Sequence, residues 1–382
     1  MMKMPTNNFM HAPQFLTNRP IAFQNSAMQY RLCLLLPFIL SIWAATFSVS
    51  ANNIEANNIN ANSIEAKNIE ESSLPTRSHN ICAVYPHLKD SYWLSVNYGM
   101  VEEATKLGVN LKVFEAGGYP NQVKQKQQLK ACVEWGADAI ILGTVAPNIY
   151  YNDLKQITDN TPIFATVNHL SVSKNNQNVL KGTVGVDWYW MGYLTGEYLA
   201  NKHPSNSGSV NVALLPGPSS SGGTKPVIKG FYDAINDSDI KIIKTSWADN
   251  DKELQRNLVQ ELIEGYNVEY IVGSAVAIEA AISEVRTLKQ TAPIKLISTY
   301  LSHGVYRGIV RNRVEFAPTD QMVKQGRLSL LQAYHYLSGQ AYEAIQEPKI
   351  QIITNFDTQQ DIIEDSLSPS GYRPTFSVGS ID

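Results

Sequence analysis

Residues 81–116 read ICAVYPHLKDSYWLSVNYGMVEEATKLGVNLKVFEA. The six-residue apolar run ICAVYP (81–86) precedes an amphipathic stretch at 94–107, and a second run, LKVFEA, follows at 111–116. Strand, helix and strand at this spacing predict two parallel strands joined by a helical crossover. The alternation continues through AIILGT (139–144), PIFATV (162–167), VNVALLP (210–216), IKIIKTS (240–246), VEYIVGS (268–274), IKLIST (294–299) and VEFAP (314–318). Amphipathic segments at 122–135, 227–235 and 254–263 lie between these runs. Strands that are apolar throughout, rather than alternating, are buried on both faces. The expected fold class is therefore α/β, with parallel sheets covered by helices and right-handed crossovers.

The pattern breaks once. After Val167 the chain turns polar, LSVSKNNQNVLKG (170–182), and resumes as VGVDWYWMG (184–192). This segment predicts a loop and then a strand that crosses into a second domain. Further crossings are expected near 317–320, leading into a helix at 321–337, and near 347–349. Three crossings between two doubly wound lobes make a hinge, with a ligand cleft at the carboxyl ends of the strands. The expected division is 78–185 plus 319–347 for the N-terminal lobe and 186–318 plus 348–378 for the C-terminal lobe.

Composition agrees with a folded globular chain. The 382 residues are 44% hydrophobic and 17% charged, and 31 Lys plus Arg against 34 Asp plus Glu leave a net charge of −3. That balance argues against a nucleic-acid binder, which needs a basic surface. It also argues against an extended disordered chain. At the N-terminus, Arg31 precedes the apolar run LCLLLPFILSIWAATFSVSA (32–51). Basic, apolar and then small residues make the order of a secretory signal peptide, so residues 1–51 are expected to be removed, leaving no membrane insertion. A membrane anchor is the competing reading, since the run could span a bilayer. The pentads NNIEA, NNINA, NSIEA and KNIEE (52–71) offer too little apolar surface to offset ordering entropy, and 52–77 reads as a polar tether. Beyond the signal, Cys82 and Cys132 remain. One disulfide in an oxidising compartment and two separate buried thiols both fit.

Seven strings in order carry a resemblance: YPHLKDSYW (85–93), EAGGYPN (115–121), GVDWYWMGY (185–193), ADNDKELQRNLVQ (248–260), YIVGSAVAIEAAISE (270–284), YLSHGVYRG (300–308) and SLSPSGYRPTFSV (366–378). Over about residues 79–378 the chain resembles type I periplasmic binding proteins of the sugar-binding superfamily, and within it the periplasmic sensors of trimethylamine N-oxide. The resemblance implies a periplasmic protein that presents this oxide to the periplasmic domain of a membrane sensor histidine kinase. The kinase would belong to a two-component system controlling respiration with the oxide.

The residues allow the same reading. Asp90, Tyr92 and Trp93 lie between the first strand and its helix, where open α/β sheets bind ligands. Asp90 or Ser91 could equally cap that helix, and Trp93 could pack as core. Tyr119 ends the second strand beside two glycines, Trp188 follows the crossing strand, and Tyr300 ends a strand of the second lobe. Tyr189 and Trp190 read as packing or partner residues. Ring faces attract a methylated cationic nitrogen at about 0.5–2 kcal/mol per contact, and Asp90 would add to that. The oxide's anionic oxygen needs a donor such as a Tyr hydroxyl or an indole N–H.

Sugar-binding relatives carry Asp and Arg after the fourth strand, where this chain has Val167-Asn168-His169, and an acid where it has Gly273-Ser274-Ala275. A polyol fits such a site poorly. The competing functional reading is a solute receptor delivering a sugar or a methylated amine to an ABC permease. No enzyme is expected. GPSSSGGT (217–224) has Gly223 where a phosphate-binding loop needs Lys, and no nucleophile elbow surrounds Ser219–Ser221. His87, His169 and His303 are scattered, and neither a metal site nor a cofactor is expected.

Overall fold

The computed structural model describes residues 78–288, 293–355 and 359–380. The expected signal peptide (1–51) and tether (52–77) lie outside the described residues.

The first sheet contains β1 (Asn80–Tyr85), β2 (Asn110–Glu115), β3 (Ala139–Leu142), β4 (Ile163–Thr166) and β5 (Leu180–Val184). The second contains β6 (Val210–Leu215), β7 (Ile240–Thr245), β8 (Tyr270–Gly273) and β9 (Lys295–Ser298). Their orders correspond: β5-β4-β3-β1-β2 in one and β7-β6-β8-β9 in the other, with parallel pairing throughout these strands. Each sheet therefore reverses its winding beside its first strand, at β1/β3 and at β6/β8. A crevice opens at the strand ends of such a switch point.

Helices α1 (Ser91–Leu107), α2 (Gln122–Glu134) and α3 (Leu154–Ile157) accompany the first sheet. Helices α4 (Trp188–Lys202), α5 (Thr224–Ile235), α6 (Lys252–Gly265), α7 (Ala275–Thr287) and α8 (His303–Val310) follow. Residues 81–85 of β1 are all buried, which is why that run carries no polar alternation. On α1, Val96, Met100 and Ala104 recur every four residues and are fully buried, so one stripe faces the core. Burying Val96 or Met100 stabilises the fold by about 1.5–3 kcal/mol each, and the smaller Ala104 by less. A disulfide joins Cys82 of β1 to Cys132 of α2, with the two Cα atoms 5.7 Å apart, and resolves the choice that spacing left open.

The chain leaves the first sheet after β5 and enters α4, which packs along α5. It returns through β10 (Ala317–Thr319) into α9 (Met322–Leu337), which packs along α1. Strand β11 (Ile345–Gln346) then extends the first sheet beside β5, and β12 (Gln351–Ile353) pairs antiparallel with β10. After α10 (Gln360–Ser366), β13 (Ser377–Val378) adds antiparallel to β2.

The tail corrects one expectation. Residues 348–378 are expected in the second lobe; within them β12 pairs with β10, but α10 packs on α9 and β13 extends the edge of the first sheet beside β2. A buried polar residue on α1 finds its partners in this segment. Asn97 accepts from the Tyr372 hydroxyl at 2.8 Å and from the Thr375 N–H at 3.0 Å, and donates to the Thr375 carbonyl at 3.0 Å.

Candidate functional site

Where the two lobes face each other, one cavity of about 40 Å³ is lined by all six residues singled out from the sequence. That is space on the scale of a few water molecules. Asp90, Tyr92 and Trp93 come from the start of α1, Tyr119 from the loop after β2, Trp188 from the start of α4 and Tyr300 from the loop after β9.

Asp90 is the N-cap of α1, and its carboxylate accepts the Trp93 backbone N–H at 3.1 Å. Capping and cavity lining are thus compatible in this residue. Capping fixes the first turn and so points Tyr92 and Trp93 at the seam. Trp93 is almost wholly buried, and its indole N–H donates to the Tyr119 hydroxyl at 3.4 Å. Its ring lies over Gly143, where a Cβ would come within 2.5 Å of Cη2, so only glycine leaves room for it.

From the opposite side, the Trp188 indole N–H donates to the Val167 carbonyl at 3.3 Å. This ties the start of α4 to the end of β4. The Trp188 ring stacks over the backbone of Gly223, where a Cβ would lie 2.9 Å from Cδ2. Tyr92, Trp188 and Tyr300 form a triangle of rings. Their centroids are 6.2 Å apart for Tyr92–Trp188, 5.3 Å for Tyr92–Tyr300 and 6.2 Å for Trp188–Tyr300. The planes meet at 42°, 84° and 90°, so the rings pack tilted and edge-to-face rather than stacked.

Three phenols sit in this apolar shell, and each is held neutral. Burial pushes Tyr119 up to about 12, against the lowering effect of the Asn168 and Trp93 hydrogen bonds. Burial, and then the nearby Asp320 carboxylate, raises Tyr92 well above the ordinary phenol value. Burial, and then Asp90, does the same for Tyr300. The Tyr119 hydroxyl accepts from Trp93 and from Asn168, and the Tyr300 hydroxyl accepts from Asn250 at 3.3 Å. Their own hydrogens remain available to donate.

Further residues join the site that the aromatic pattern after strand ends does not signal. Asn250, in the loop after β7, lines the cavity, and its buried Oδ1 has no partner among the described residues. Asn168 lines the cavity beside Tyr119, with its amide held by the Thr144 carbonyl at 2.8 Å. Gly223 belongs to GPSSSGGT, which folds over the cavity through Pro218, Ser221, Gly223 and Thr224. Its place after β6 mirrors the place of Asp90–Trp93 after β1, and that symmetry was the signal available. Asp320, directly after β10, receives the Tyr92 hydroxyl at 2.5 Å and the Gln325 amide at 2.7 Å. It is fully buried, which raises its carboxyl pKa, and its Oδ1 has no partner among the described residues.

None of the three histidines lines the cavity, although His87 lies 3.9 Å from the Asp90 carboxylate. His87 is buried with its ring centroid 5.6 Å from that of Tyr119, and His169 is exposed. The backbone N–H of His303 donates to the Ser91 hydroxyl at 3.1 Å, a hydrogen bond from the start of α8 to the start of α1.

Residues 78–373 match the family of periplasmic binding proteins and the sugar binding domain of the LacI family. The chain belongs to this family. Its members are binding proteins rather than catalysts, and the two-lobed parallel architecture is theirs. Among curated relatives, the periplasmic protein TorT of Escherichia coli O157:H7 is 42% identical over 310 residues, covering 80% of this chain and 87% of the relative. Among solved structures, a crystal structure of the TorS sensor domain–TorT complex in the absence of ligand aligns with a TM-score of 0.74 and 62% identity. The match covers 78% of this chain and all of that one. The same complex in the presence of TMAO aligns with the same score, identity and coverage.

Proposed function

We propose that this chain is a periplasmic sensor of trimethylamine N-oxide that reports the ligand to the periplasmic domain of a TorS-like membrane histidine kinase. The observation that carries this reading is the small cavity walled by Tyr92, Trp93, Trp188 and Tyr300 from both lobes. Ring faces suit the methyl-covered, positively polarised nitrogen. The Tyr119 and Tyr300 hydroxyls supply protons to the oxide oxygen, and Asp90 adds a negative field on the nitrogen side. A sugar would need several paired hydroxyl partners in place of these rings. The kinase partner follows from the relatives, since TorT has been crystallised with the TorS sensor domain with and without TMAO.

In this reading the chain is exported through a cleaved signal within residues 1–51 and has no catalytic role. A ligand touching both lobes favours the hinge state in which both walls reach it. Signalling requires that the kinase bind the two hinge states with different affinity.

Isothermal titration of the purified chain with trimethylamine N-oxide, glycine betaine, choline and ribose tests the ligand. Saturable binding of the oxide in preference to ribose is expected, and binding of ribose alone refutes the reading. Co-purification with the kinase ectodomain, set against co-purification with an ABC permease, tests the role.

A further inference from the structure

Lys252, Arg286, Arg307, Arg311 and Arg313 line a groove of about 350 Å³ at the outer side of α6, α7 and α8. All five side chains are exposed. Among the described residues none of them has an ion-pair partner, although several carboxylates lie on the same helices. Glu253 and Glu284 are taken by Arg256, at 2.7 and 3.4 Å. Glu279, the groove's own carboxylate, accepts from the Ser302 hydroxyl. Five cations against the single carboxylate of Glu279 therefore concentrate in one groove of a chain whose net charge is −3.

The groove is also placed to read the hinge. Arg307 lines a second groove together with Tyr98 of α1, Arg327 of α9 and Glu364 of α10. In that groove charge is balanced, because Arg327 pairs with Glu102 at 2.6 Å and with Asp365 at 3.2 Å. A partner laid across both grooves touches α7 and α8 on one side and α1, α9 and α10 on the other. Beneath this seam runs the His303–Ser91 hydrogen bond between the same two sets of helices.

We propose that an acidic face of the kinase's sensor domain docks in this groove, its carboxylates meeting these five cations; the inference rests on the kinase reading above. Four of the five are arginines, whose planar forks match carboxylates in pairs. A lone small anion would meet exposed, solvent-screened charges and be weakly held. A flat anionic bilayer would not reach the floor of a concave groove. A protein projection bearing several Asp or Glu side chains satisfies both conditions.

The test measures association between the purified chain and the kinase sensor domain on a biosensor surface at low and high salt. Wild-type association should weaken with salt. The double reversal Arg307→Glu/Arg311→Glu should weaken it by about tenfold or more, because attraction becomes repulsion. An equal charge change at exposed lysines of the first lobe, Lys130→Glu/Lys174→Glu, should have far less effect, and both variants should keep wild-type affinity for trimethylamine N-oxide. Equal effects of the two double variants overturn the proposal. So does groove-dependent binding to phosphatidylglycerol vesicles while sensor-domain association persists. Absence of any wild-type association with the sensor domain removes the kinase reading itself, and this surface with it.

Discussion

Replacing Trp188 with alanine is the sharpest probe of the cavity. The indole borders Tyr92 and Tyr300 at 6.2 Å each, and it is half-buried rather than core. Its loss removes one ring face from the methylated pole, at about 0.5–2 kcal/mol, together with the dispersion contacts of that face. A combined loss of about 1–3 kcal/mol corresponds to roughly 5- to 150-fold weaker binding. The hydrogen bond to the Val167 carbonyl also disappears, which is why the melting curve is read beside the affinity. Trp190, two residues along the same helix, is 48% exposed and lines no wall of this cavity, so Trp190→Ala serves as the matched control. Isothermal titration with trimethylamine N-oxide should separate the two, with Trp188→Phe falling between wild type and Trp188→Ala. If Trp188→Ala binds within about twofold of wild type while the melting curve shows an intact fold, the ring is not a wall of the ligand site and the cage argument fails.

Three other outcomes are expected. Gly223→Ala has an ordinary backbone conformation (φ −87°) but brings a Cβ to 2.9 Å from the Trp188 ring, so the indole must shift. Affinity should drop several-fold with little change in the urea midpoint. Tyr92→Phe removes a donor from buried Asp320 and should destabilise the fold by about 1–3 kcal/mol in urea unfolding; a stability equal to wild type would show that the pair contributes nothing net. Tyr119 is raised from the usual value near 10.0 to about 12, so the native state keeps a proton that the unfolded chain loses. Its contribution is full below pH 10 and is lost as pH climbs towards 12, so oxide affinity should stay flat from about pH 6 to 9, and a titration step in that range would contradict neutral phenol donors.

The strand framework was legible because both sheets are covered on both faces, so β1, β3 and β8 had to be apolar throughout. Helix starts were less so. The amphipathic stripe begins at 94, while α1 begins at Ser91, because the first turn is set by the Asp90 cap rather than by apolar spacing. Likewise α5 starts at Thr224, three residues before its first expected position. The tail at 366–378 gave no periodic signal, since its docking depends on Asn97 and on two paired residues. In the site, aromatics after strand ends stood out because turn chemistry does not call for them. Asn250 and Asn168 did not, since amides are ordinary loop residues. Asp320 meets Tyr92 across 228 positions, a separation that local spacing cannot reveal.

That contact has an implication for anyone retuning ligand choice. Tyr92 faces the cavity, but its hydroxyl is gripped by Asp320, which sits on the strand-to-helix passage between lobes. If Tyr92 meets the ligand as proposed, recognition and the passage into α9 share one side chain. An engineer who swaps position 92 to admit a bulkier amine would also strip the buried Asp320 carboxylate of its Tyr92 donor, and should check fold stability and output along with the new affinity.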